Sequence, residues 1–169
     1  MKITQKLMWA LPLFSILFFT ACEKEDPVIP NEEELITTLI YTLTPEGGGT
    51  PVEFRFEDLD GDGGNAPIIT NGTVLNNTTY TGVLSLLNET EDPAESISDE
   101  VAAEAEEHQF FYTFFSFGFN GNIVYADTDE NGNPIGLLTT FTVGDPSTTF
   151  LNITLKFLIK NFIILFILY

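Results

Sequence analysis

Two short stretches carry residue types at a spacing suited to holding a hard cation. Asp58-Leu59-Asp60-Gly61-Asp62-Gly63 and Asp127-Thr128-Asp129-Glu130-Asn131-Gly132 both follow the front half of a calcium loop, D-x-D-x-[DN]-G. Alternate side chains in such a loop converge their oxygens on one ion, and the glycine permits the sharp turn. The candidate ligands are Asp58, Asp60, Asp62, Asp127, Asp129 and Asn131, and the candidate cofactor is calcium. At the twelfth position an EF-hand supplies a bidentate Glu, whereas these loops have Ile69 and Leu138, so a last ligand must come from elsewhere. The competing reading is a pair of hairpin turns that use Asp, Asn and Gly for local backbone reasons.

His108 is the only histidine. It follows Glu104 by four residues, so on a helix both side chains would face one ion. One histidine with carboxylates falls short of a ligand cluster, and the reading taken is a solvated acidic face ending in a histidine. Catalytic constellations are missing. No serine sits in a nucleophile elbow, and no glycine loop joins a strand to a helix as phosphate binding requires. The carboxylates are too numerous for any pair of them to be informative. The expectation is a protein that is not an enzyme.

Cys22 is the one cysteine, which excludes an internal disulfide and a zinc–cysteine site. It ends a leader-like segment: Met1 to Lys6 has two lysines and no acid, Leu7 to Phe19 is apolar apart from Ser15, and Thr20-Ala21 precede the cysteine. Small residues before a cleavage point are what signal peptidases need. Cleavage before Cys22 and lipid on its thiol are expected, because this end resembles the lipobox of bacterial lipoproteins. Residues 22–33 follow as an acidic, proline-punctuated tether. Lys24-Glu25-Asp26 resembles the surface-export signal of Bacteroidetes lipoproteins, which implies the outer face of the outer membrane; the alternative is the periplasmic face.

Charge narrows the partners. The chain has 25 acidic and 6 basic residues, a net charge of −19. Such a field repels phosphate backbones, so nucleic acid is excluded as a partner, and it attracts cations. The membrane enters as a partner through lipid on Cys22, and a protein or small-molecule ligand is left open. Sixteen phenylalanines and 44% hydrophobic residues supply enough apolar surface for a packed core.

The elements that must position these groups read as β structure over residues 34–155. Val52, Phe54 and Phe56 alternate with Glu53, Arg55 and Glu57, the period of a strand with one wet face. Further strands are predicted over Leu35–Leu43, Pro67–Leu75, Tyr80–Leu87, Phe110–Phe119, Asn122–Ala126, Ile135–Val143 and Thr148–Leu155, with glycine or asparagine clusters between many of them. Short strands at this spacing predict an antiparallel, immunoglobulin-like β-sandwich. One acidic insertion breaks the pattern, with a short helix predicted over Glu100–His108 behind Asp99 as its cap.

Several segments, among them Asn31-Glu-Glu-Glu-Leu-Ile-Thr-Thr, Asp58-Leu-Asp-Gly-Asp-Gly-Gly-Asn-Ala-Pro and Asp129-Glu-Asn-Gly-Asn-Pro-Ile-Gly, together resemble a family of small flavobacterial lipoproteins. The resemblance covers about residues 1–155. Proteins of this kind are often assigned to a type 1 periplasmic-binding fold, which implies a solute-binding accessory; no catalytic residues come with the resemblance.

Residues 156–169 depart from the rest. They lack Gly, Pro, Asp, Glu, Ser and Thr and are built from Lys, Asn, Ile, Phe, Leu and Tyr. AT-rich DNA encodes that set in an arbitrary frame, so an aberrant, frameshifted tail is expected; the alternative is a real apolar contact, too short to span a bilayer. The combined expectation is a lipid-anchored acidic surface domain with a binding or structural role, stabilised by calcium. The alternatives are a periplasmic solute-binding accessory or a non-functional frameshifted product.

Overall fold

The computed structural model describes residues 34–61, 64–115 and 119–158 in full and the backbone of residues 162–168. The chain is mainly β, with ten strands and one short helix among these residues. In chain order the strands are β1 (Thr38–Pro45), β2 (Val52–Glu57), β3 (Ile68–Thr70), β4 (Thr78–Asn88), β5 (Glu95–Ser96), β6 (His108–Phe114), β7 (Gly121–Tyr125), β8 (Leu138–Val143), β9 (Leu151–Phe157) and β10 (Phe162–Leu168). The helix α1 spans Ile97–Ala103 between β5 and β6.

Two antiparallel sheets form. The larger runs β3-β2-β1-β4-β8-β7, with β5 added beside the end of β4; the smaller runs β10-β9-β6. Period-two alternation in the sequence becomes alternation of burial. In β1, Leu39, Tyr41 and Leu43 are buried while Ile40 and Thr42 are half-buried; in β9, Leu151, Ile153, Leu155 and Phe157 point inward. Tyr80, Leu84 and Leu86 from β4 and Phe110 from β6 join the same cluster, so both sheets contribute to one core between them. The rings of Tyr41 and Tyr112 meet across it with centroids 5.5 Å apart. This is the antiparallel sandwich that the alternation predicts.

One glycine is required by the packing. Gly82 faces inward in the middle of β4, where an added Cβ would meet Tyr41 Oη at 2.6 Å and collide with Thr139 Oγ1. The missing side chain leaves room for the Tyr41 phenol to share a 2.8 Å hydrogen bond with Thr139 in the core. Burial pushes the phenol up to about 12, with the Thr139 contact acting weakly the other way. Asn77 supplies the left-handed residue (φ 53°) of the turn before β4, a conformation asparagine tolerates.

Several boundaries differ from the sequence expectation. The helix starts earlier and ends earlier than Glu100–His108. Ile97 and Val101, one helical turn apart, are its buried residues, and the Ser98 hydroxyl accepts the Leu86 amide at 2.6 Å. Its acidic stretch cannot extend it, because Glu100, Glu104 and Glu107 repel one another at helical spacing. His108 therefore opens β6 instead of closing a helix. The strand predicted over Pro67–Leu75 shrinks to three residues, since Gly72 and the following segment turn away and the Leu75 amide donates to Tyr80 Oη. Strand β9 runs past residue 155 to Phe157, and β10 pairs with it from Phe162↔Phe157 to Leu168↔Leu151. The two-lobed α/β architecture implied by the family resemblance is absent from the described residues, which hold one seven-residue helix and antiparallel pairings. No helix among them is long and apolar enough to cross a membrane.

Candidate binding site

A cleft of about 410 Å³ opens at one end of the sandwich, where β2, β6, β8 and β9 bring their ends together. Its walls come from both sheets: Phe54 and Phe141 from the larger, Phe114 and Leu151 from the smaller. Phe119, in the connection after β6, completes the aromatic part. The Phe114 ring lies 4.4 Å from Phe119 and stacks on Phe141 at 5.6 Å with an interplanar angle of 20°. Polar residues line the cleft as well: Thr73, Asn76, Asp145, Ser147, Thr148 and Thr149. Sequence periodicity places Phe114 and Phe119 in one aromatic run. Their meeting with Phe54 and Phe141 depends on sheet pairing, which no local signal encodes.

The candidate calcium loops use their carboxylates on their own backbone. In the first, Asp58 Oδ1 accepts the Gly61 amide at 2.9 Å, and Asp60 Oδ2 accepts the Asn65 amide at 2.9 Å and its side chain at 2.6 Å. The Asn65 contacts hold the Asp60 carboxyl below the ordinary aspartate range. Asp62 lies outside the described residues. In the second loop, Asp127 binds three successive amides: Gly136 through Oδ1, and Leu137 and Leu138 through Oδ2, at 2.8 to 2.9 Å. Asp129 accepts the Asn131 and Asn133 amides at 2.9 and 2.8 Å, and hydrogen bonding from Asn133 holds its carboxyl below the ordinary range. The Asn131 side chain turns to Glu106, donating at 2.6 Å. The second loop thus spreads Asp127, Asp129 and Asn131 over three different sets of partners.

A third group lies at the other end of the sandwich. One ring nitrogen of His108 and one carboxylate oxygen each from Glu34 and Glu104 lie within 4.8 Å of one another. His108 is 2% exposed. Its ring meets Phe157 edge-on at 4.8 Å. Nearby, burial first, then Glu95, Glu34 and Glu104, push the Glu100 carboxyl above its ordinary range, the mark of unneutralised negative charge. The sequence gives the pairing of Glu104 with His108 but places it on a solvated helix face, and it gives no sign of Glu34. Extending the strand period of Phe110, Tyr112 and Phe114 back by one step puts His108 on the inward face.

No family model, curated protein or solved structure matches this chain. Its functional reading therefore rests on its own residues. Cys22, the expected lipid site, lies outside the described residues.

Proposed function

We propose that this chain is a lipid-anchored binding domain, held to the outer membrane through Cys22, that takes a small apolar or aromatic ligand into the cleft between its sheets. The observation that carries the reading is the cleft itself. Its size and its lining of aromatic residues with a few polar ones match the general character of small-ligand sites. Phe114, Phe119 and Phe141 pack on one another and line the cleft, so a ligand entering it would meet an aromatic surface continuous with the core. The charge of −19 favours neutral or cationic ligands over anionic ones. No catalytic step is part of this reading.

The test uses the neutral, apolar fluorophore N-phenyl-1-naphthylamine with the full-length protein. Saturable binding with a fluorescence gain is expected. Thr149→Trp, which puts a large ring in place of a small residue that lines the cleft, should abolish binding without lowering the melting temperature. Absence of saturable binding, or equal binding by the Trp variant, refutes the cleft as the site. Anchoring is read separately: Cys22→Ser should release the protein from membranes and end palmitate incorporation. Retained labelling in that variant removes the lipid from the reading and leaves the cleft untouched.

A further inference from the structure

His108 has a buried ring nitrogen with nothing to bond to. Nδ1 lies 3.0 Å from the backbone oxygen of Glu104. A carbonyl oxygen only accepts, so Nδ1 carries the proton, and in the neutral ring Nε2 is left with a lone pair. Nε2 has no hydrogen-bond partner although it is fully buried. The group facing it is the Glu34 carboxylate, 3.6 Å away, with the His108 and Glu34 side chains only 1% and 5% exposed. A lone pair facing a carboxylate in a dry corner is unfavourable, because neither can donate to the other.

We propose that Glu34, Glu104 and His108 bind a divalent transition ion of the zinc class, with His108 Nε2 as its nitrogen ligand and the two carboxylates as its oxygen ligands. The distance supports this. At 3.6 Å the pair is too far apart for a hydrogen bond. Two ligands of a tetrahedral ion with bonds of about 2.0–2.2 Å stand roughly 3.3–3.6 Å apart. The ring is also prepared as a metal ligand is: donation from Nδ1 to a backbone carbonyl fixes the tautomer and the ring plane. The donor set selects the ion. Imidazole with carboxylates and no thiolate suits zinc and its neighbours, whereas calcium and magnesium prefer oxygen alone. Two carboxylates would neutralise the dication, and the Glu95 and Glu100 side chains add further attraction. Three protein ligands leave a fourth position for water. The site is at the opposite end of the sandwich from the cleft, and it stands or falls independently of the ligand reading.

The experiment uses the full-length chain, purified without a polyhistidine tag and stripped with chelator, and zinc chloride as the only probe. The chain has a single histidine, so 15N-histidine labelling gives one imidazole in the NMR spectrum. One equivalent of zinc should move the Nε2 resonance from that of a bare nitrogen to that of a metal-bound one, while Nδ1 keeps its proton. Glu34→Gln and Glu104→Gln keep the shape of each side chain, and each should weaken zinc binding by at least about 10-fold, the least that loss of even an outer-shell partner costs. Glu53→Gln, on an exposed position of β2, should leave it unchanged. Three results would overturn the proposal. Zinc that binds without moving Nε2 is held by surface carboxylates. An Nε2 that is protonated at neutral pH and stays so in zinc makes the corner a buried His–Glu ion pair. Equal affinity in all three variants removes the ligand assignment.

Discussion

Replacing Gly82 by alanine sets two opposed effects against each other. Alanine in place of glycine inside a strand loses less backbone entropy on folding, which favours the variant by roughly 0.5–1 kcal/mol. The new methyl would stand 2.6 Å from Tyr41 Oη and 2.8 Å from Tyr41 Cε2, and would collide with Thr139 Oγ1. Overpacking of this kind in a tight core costs about 1–3 kcal/mol. It also strains the hydrogen bond between two buried hydroxyls, whose net worth is about 0.5–1.5 kcal/mol. The steric and polar costs exceed the entropic gain, so Gly82→Ala should destabilise the domain by about 1–4 kcal/mol. Tyr41→Phe alone should cost about 1–2 kcal/mol by stranding the Thr139 hydroxyl. In the double variant the offending Oη is gone, so the combined loss should fall short of the sum by at least about 0.5 kcal/mol. Urea unfolding followed by far-ultraviolet circular dichroism measures all three. A Gly82→Ala variant as stable as the parent, or strictly additive losses, would refute the close approach between Gly82 and the phenol.

Asp127→Ala should cost at least about 2 kcal/mol in the same assay, because it strands three amides that now share one carboxylate; a loss under 0.5 kcal/mol, the ordinary surface range, would show that the amides find other partners. Stability should fall in acid partly through Glu89, whose carboxyl is held below the ordinary value of 4.5 by hydrogen bonding from Arg55 and then Thr38. A lowered folded value means that this contribution is full above pH 4.5 and is lost as pH falls through the lower value, so Glu89→Gln should flatten the melting temperature between about pH 5 and 3. An unchanged slope would assign the acid sensitivity to other groups. Calcium and magnesium at equal millimolar concentration should raise the melting temperature equally, by screening the negative chain, because the described loop carboxylates already accept the chain's own N–H groups. A calcium-specific rise that disappears in Asp60→Ala would establish the first loop as an ion site.

Strand positions were legible where one face is more exposed than the other, as along β2 and much of β4, because polarity then alternates with the period of a strand. The helix was harder. Its acidic residues are abundant over 99–107, but what fixes its span is docking of Ile97 and Val101, and a single buried pair leaves little periodic trace. The cleft was half visible: its aromatic run stands out, whereas the partners Phe54 and Phe141 belong to strands whose neighbours are set by non-local pairing. The Asp-rich loops illustrate an ambiguity of chemistry. The same alternation of Asp, Asn and Gly that suits a cation also suits a turn whose amides need acceptors. Glu34 and His108 are remote in sequence and meet because the start of β1 and the start of β6 lie at one end of the fold.

That placement has a mechanical consequence. Register pairs His108 with Phe157 at one end of β6 and Phe114 with Leu151 at the other, so the acidic corner and the aromatic cleft are separated along the strands by about 20 Å. Tension drawn between the two ends of β1 enters at Thr38 and leaves at Pro45. β1 is an inner strand, hydrogen-bonded to β2 on one side and, over its full length from Thr38↔Leu87 to Pro45↔Tyr80, to β4 on the other. Tension along its axis loads both ladders in shear, so their bonds must yield together and not one at a time as in peeling. The domain therefore resists tension along β1 as a block, in the direction that runs from the acidic corner to the cleft end.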